Sequence, residues 1–173
     1  PEYALCDASR EWDFGHDELE IIFKVSRIDI DSSVFNNEVT FGKILDAVDR
    51  IFSNPFMKLD KIEVAGYASP EGDNEFNERL AQQRAEQAAE IIKKELGEID
   101  AERIEITNKG ADWDGLISAI AASDIENAED IIEEIKNSSN KEETLQELLK
   151  QYPQIRNLLP QLRRASVVIT TVK

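Results

Sequence analysis

One histidine, one cysteine and one methionine in 173 residues leave little of the side-chain chemistry that catalysis and metal binding usually employ. Ser-His-Asp and Cys-His sites need a histidine, and His16 lies between Gly15 and Asp17 in an irregular N-terminal segment. A structural zinc needs about four Cys and His ligands; His16 and Cys6 cannot supply them, so neither metal nor cofactor is expected. Alone, Cys6 excludes an internal disulfide, fits a reducing or an oxidising compartment, and reads as a free or buried thiol rather than a nucleophile. Asp29, Asp31 and Ser33 imitate the opening of a calcium loop, but Val34 stands at the turn position that needs Gly and Thr40 at the closing position that needs Glu. Spaced glycines of the phosphate-cradling kind are missing too. No catalytic residue is expected.

Basic residues are also short, 20 against 36 acidic ones, for a formal net charge of −16. That charge repels nucleic acid and anionic lipid. No apolar run approaches the roughly 20 residues that span a bilayer. Pro1 opens the sequence without a basic and then apolar leader, so any export signal is expected to have been removed or to lie outside it. A membrane link is expected only through a region outside this chain.

What remains is 41% hydrophobic and 32% charged, enough apolar side chain for a folded core. At this length one domain can bury about 70% of its unfolded surface. Residues 1–18 read as an irregular segment and 19–173 as the domain. Leu19 to Ile30 alternates as a long strand. After a polar break at 31–37, Thr40 is placed to cap a helix with Ile44, Leu45, Val48, Ile51 and Phe52 on its apolar stripe, ended by Asn54 and Pro55. Lys61 to Tyr67 forms a second strand that enters a turn, Ser69-Pro70-Glu71-Gly72. Asp73 or Asn74 then caps a helix to about Leu96. Arg103 to Thr107 and Ala165 to Val172 are the remaining strands.

Between Asp112 and Leu162 lies an acidic stretch with two helical patterns, one through Leu116, Ile120, Ile131, Ile132 and Ile135, the other through Leu145, Leu148 and Leu149. It reads as an insertion, broken at Asn137 to Asn140 and delimited by Pro153 and Pro160. So many apolar groups predict burial against the domain. Trp113 either packs in a core at a helix start or presents a ring to a sugar. The element order predicts one sheet of about four strands with two helices on one face, an α/β two-layer sandwich.

The segment Gly66-Tyr67-Ala68-Ser69-Pro70-Glu71-Gly72, followed by Asn77, Leu80, Arg84 and Ala85, resembles the peptidoglycan-binding signature of the OmpA-like family. Leu162-Arg163-Arg164-Ala165-Ser166-Val167-Val168-Ile169 is similar to that family's entry into its last strand. The resemblance covers Leu19 to Thr107 and the final dozen residues. It implies an OmpA-like two-layer fold, a location on the periplasmic face of the outer membrane or cell envelope of a Gram-negative organism, and non-covalent binding of a peptidoglycan stem peptide of the diaminopimelate type. In that family an Asp after Thr holds the ligand's ammonium group and a helix Arg holds its carboxylate. This chain keeps the arginine, as Arg84, and carries Ala68 and Ser69 where Thr and Asp belong; the family's helix Ser is Ala81.

Asn77 and Arg84, seven residues apart, point almost the same way from a helix, with Leu80 beside them. Arg84 occupies a row, Phe76, Leu80, Arg84 and Ala88, where an apolar residue would be expected, so its guanidinium needs an acceptor. It is either a ligand group or half of a structural ion pair. Glu71 either supplies the charge that Ser69 lacks or is an ordinary turn carboxylate. The candidate ligand-binding residues are thus Arg84, Ser69, Glu71 and Asn77. An OmpA-like structural or protein-interaction module that has lost peptidoglycan binding is the alternative.

Overall fold

Alternating β-branched and polar residues build the sheet, and a small-residue helix face lets the second layer approach it closely. A computed structural model describes residues 19–24, 37–56, 58–96 and 103–172. Four strands, β1 (Leu19–Ile22), β2 (Lys58–Ala68), β3 (Ile104–Ala111) and β4 (Arg164–Val172), form one sheet in the order β1-β4-β2-β3. The β1/β4 and β4/β2 pairs are antiparallel and β2/β3 is parallel, as a strand–helix–strand unit requires. Helices α1 (Asn37–Ser53) and α2 (Asn74–Leu96) share one core with the strands, in which Ile21, Ile44, Val48, Ile62, Val64, Ala85, Ile92, Val167 and Ile169 are all buried. Each large aliphatic side chain there contributes about 1.5–3 kcal/mol of transfer free energy.

The α2 layer sits unusually close. A Cβ on Gly66 would lie 1.8 Å from the Ala81 carbonyl oxygen and 3.0 Å from the Ala85 Cβ. Gly66 in the strand and the run of buried alanines, Ala81, Ala85, Ala88 and Ala89, are one packing solution. Asp73 Oδ2 caps α2 by accepting from the Phe76 N–H at 2.9 Å.

Between β3 and β4 come α3 (Trp113–Ala122), α4 (Ala128–Asn137), α5 (Lys141–Gln151) and two 3₁₀ turns, Pro153–Leu158 and Pro160–Leu162. Their apolar residues, Leu116, Ile120, Ile131, Ile135, Leu145, Leu148 and Ile155 among them, close on one another in a core separate from the one under the sheet. The stretch is helical, and its burial partner is mainly itself. Trp113 packs against this second core.

Several expected boundaries move. The first strand stops at Ile22, and residues 25–30 of its expected span lie outside the described ones, as do His16, Cys6 and the calcium-like segment Asp29 to Val34. Helix α1 begins at Asn37, not after Thr40; the buried Asn37 amide exchanges two hydrogen bonds with Ile22, N–H to Oδ1 at 2.9 Å and Nδ2 to the carbonyl at 2.8 Å. That amide stands in for a neighbouring strand on the outer edge of β1. Phe52 is exposed, because the buried face of Ile44, Ala47, Val48 and Ile51 is centred roughly 90° away from it. Strand β3 continues past Thr107 through a Gly110 at positive φ, since a bulge in β3, with Lys109 and Gly110 opposite Tyr67, lets Ala111 pair with Ala68. The first insertion pattern is two helices, split where Asn127 takes φ 62°.

Candidate functional site

The end of β2 delivers Tyr67 and Ala68 to the turn 69–72, where Gly72 has φ +84°. Three of the four expected site residues meet there. The Ser69 hydroxyl donates to Glu71 Oε1 at 3.1 Å, and Asn77 Nδ2, one turn into α2, donates to the Glu71 carbonyl at 3.1 Å. Ser69 and Asn77 are both buried, whereas Glu71 is partly open to solvent. Asn77 therefore fixes the turn's main chain, and Ser69 orients its carboxylate.

Arg84 lies apart from that group, underneath the strand that enters the turn. Its side chain is fully buried. Nη1 donates to the Tyr67 carbonyl at 3.0 Å and Nη2 to the Lys24 carbonyl at 3.2 Å, with the guanidinium 5.2 Å from the Phe23 ring centroid. The bulge that takes Tyr67 out of register with β3 is where this carbonyl is recruited. Burial, and then the neighbouring Arg163 cation, push the Arg84 pKa down to about 10.

Two arginines at the entry to β4 complete the site. Arg163 Nη2 lies 2.6 Å from Glu71 Oε1, in an ion pair whose arginine side chain is 14% exposed. Its Nε is buried with no hydrogen-bond partner among the described residues. Arg164 pairs with Asp112, places Nε 3.4 Å from Glu20 Oε1, and stacks 3.8 Å from the Tyr67 ring centroid. Asp112 also caps α3, Oδ1 accepting from the Gly115 N–H at 3.0 Å, and its own N–H donates to the Ala68 carbonyl at 2.9 Å. A side chain at 115 would collide with that carboxylate, since a Cβ would lie 2.1 Å from Oδ2. Across the turn, Glu142 in the first turn of α5 accepts from the Asn74 N–H, the first of α2, at 2.9 Å.

Asp112, Glu142, Arg163 and Arg164 thus meet the turn 69–72 and its neighbours, beyond the four residues expected there. A cap signal, Asp three residues before Gly, was present for Asp112. Glu142 carried no signal, being one acid among many.

Two solved structures are similar in fold. The peptidoglycan-associated lipoprotein from Burkholderia pseudomallei matches at 13% identity and a TM-score of 0.49, over 87% of this chain and 89% of that one. The OmpA-like domain of FopA1 from Francisella tularensis subsp. tularensis SCHU S4 matches at 14% identity and 0.47, over 90% of this chain and 71% of that one. No protein-family model and no curated protein matches the chain. Among the described residues, no helix is long and apolar enough to cross a membrane, and no group of three or more His, Cys, Asp and Glu is placed to hold a metal ion.

Proposed function

We propose that this chain is a non-enzymatic, OmpA-like module of a Gram-negative cell envelope that binds peptidoglycan non-covalently through a diaminopimelate-type stem peptide. The observation that supports this is the placement of Glu71. Its carboxylate is hydrogen-bonded to Ser69, the position where the family pattern has Asp, so a negative charge for the ligand's ammonium group is restored two residues along the same turn. Asn77 holds that turn in shape from α2. The location would be the periplasmic side of the outer membrane, with any membrane link made by a region outside this sequence.

A second reading rests on Arg84. With its guanidinium buried and donating to two main-chain carbonyls, it serves the fold, and the module is then an OmpA-like structural or protein-interaction element without a peptidoglycan ligand. Titration with a soluble peptidoglycan stem-peptide fragment, followed by calorimetry, separates the two. Under the first reading the protein binds, Glu71→Gln weakens binding at least ten-fold with the fold intact, and Ser69→Asp rescues that loss. Absence of binding by wild type, with binding by Ser69→Asp, gives the second reading. Binding that is indifferent to Glu71→Gln rejects this assignment of the site.

A further inference from the structure

Three contacts converge on the turn and on the start of α2, from the beginning and the middle of the helical insertion and from the residue that follows it. At its beginning the Asp112 N–H takes the Ala68 carbonyl at 2.9 Å. From its third helix Glu142, 68 residues away in sequence, places a carboxylate oxygen 2.9 Å from the Asn74 nitrogen. Just past its end Arg163, 92 residues away, places a guanidinium nitrogen 2.6 Å from Glu71. The last two are of opposite charge, and each meets the group that suits it. A cation sits on the turn carboxylate, and an anion sits on the first N–H of α2, beside the Asp73 cap, where backbone donors and the helix dipole favour negative charge.

We infer that the insertion occupies the ligand-binding turn in cis, with Arg163 in the place of a ligand's ammonium group and Glu142 in the place of its carboxylate. This rests on the peptidoglycan reading of the turn. A zwitterionic stem-peptide residue then competes with the protein's own side chains. Apparent affinity is the intrinsic affinity multiplied by the fraction of molecules in which the two contacts are open. Arg163 and Glu142 are specificity-determining residues: they admit only a ligand that offers both charges together and so replaces both contacts. Arg163 accepts a buried, unpartnered Nε while reaching Glu71, a loss that its pairing with Glu71 offsets.

The test uses the full chain, the Arg163→Gln/Glu142→Ala double variant, in which net charge is unchanged, and each single variant. Two quantities are measured: hydrogen exchange at the Asn74 amide without ligand, and calorimetric affinity for meso-diaminopimelate. Glu142→Ala alone touches an exposed contact and keeps the test valid should the Arg163 change unfold the protein. We expect the Asn74 amide to exchange at least ten-fold faster in Glu142→Ala and in the double variant, and the double variant to bind meso-diaminopimelate at least ten-fold more tightly than wild type. Equal affinity of wild type and double variant, both binding, overturns cis occupancy and leaves the peptidoglycan reading standing. If neither binds, exchange decides. Faster exchange keeps the cis contact and sinks the peptidoglycan reading, and unchanged exchange sinks the cis contact as well.

Discussion

The core under the sheet is assembled from residues far apart in the chain, Ile21, Val64, Ala85 and Val167 among them, whereas the core of the insertion is drawn entirely from Leu116 to Leu162. One depends on strand register and on a helix pressed against Gly66. The other depends on three short amphipathic helices whose apolar faces meet one another. What joins them is mostly polar: Asp112 with Arg164, Arg163 with Glu71, Glu142 with the Asn74 N–H. Two cores with a charged seam between them can yield separately. The seam falls on the candidate ligand turn, so a change in either core reaches the site through a few identifiable hydrogen bonds.

Breaking the sheet side gives the largest effect. In Gly66→Ala a methyl group must displace the Ala81 main chain, which cannot rotate out of the way as a side chain would. We expect a loss of about 4 kcal/mol or more, or failure to fold, read from urea unfolding. An Ala variant within 1 kcal/mol of wild type would show that α2 is free to move off the sheet. On the insertion side, Leu148→Ala empties a position that is 1% exposed in the second core. It should cost about 3 kcal/mol. Hydrogen exchange distinguishes the halves: amides of α3 to α5 should lose protection while β2 and β4 keep theirs. Equal loss in both would mean a single cooperative unit.

The seam itself is sharpened by Asp112→Asn, which retains an oxygen to cap α3 and removes the charge that faces Arg164. Arg164 keeps Glu20 and the Tyr67 ring. The expected loss is about 2 kcal/mol in chemical denaturation, the scale of a hydrogen bond to a charged group. Asp112→Ala should cost about 1 kcal/mol more by deleting the cap. If the two variants are equal, the carboxylate acts only as a partner of Arg164.

Much of the fold was legible from period and punctuation. Alternation around Ile62 and Val64, the valine-rich end, the Pro-Glu-Gly turn and the apolar spacing of the insertion each mark an element that the structure contains. Boundaries were lost where a side chain replaces a main-chain partner. Asn37 reads as a strand breaker but pairs with Ile22, and the third strand, expected to end at Thr107, runs on to Ala111. The site was half legible. Ser69, Glu71 and Asn77 are neighbours in sequence as well as in space. Arg84 was conspicuous as a charge in an apolar row, yet its acceptors among the described residues are carbonyls, which no sequence pattern announces. Arg163 and Glu142 act over 92 and 68 residues, and among 36 acids no spacing rule selects the pair.

The smallest expected effect tests whether the insertion's own backbone strain is local. Asn127 stands between α3 and α4 at φ 62°, and its side chain makes no cap bond there. Asparagine tolerates the left-handed region better than other residues with a Cβ, and alanine does not share that tolerance. Asn127→Ala should therefore cost about 1 kcal/mol, while Asn127→Gly should stay within about 0.5 kcal/mol, relief of strain being offset by the greater freedom of glycine in the unfolded chain. Because the residue lies away from the seam, both variants should leave the exchange rates at Asn74 and in β2 at wild-type values. A change at Asn74 in Asn127→Ala, on the other hand, would mean that the packing of α3 on α4 sets the position of α5 and hence of Glu142. The insertion's interior would then control the site at a distance.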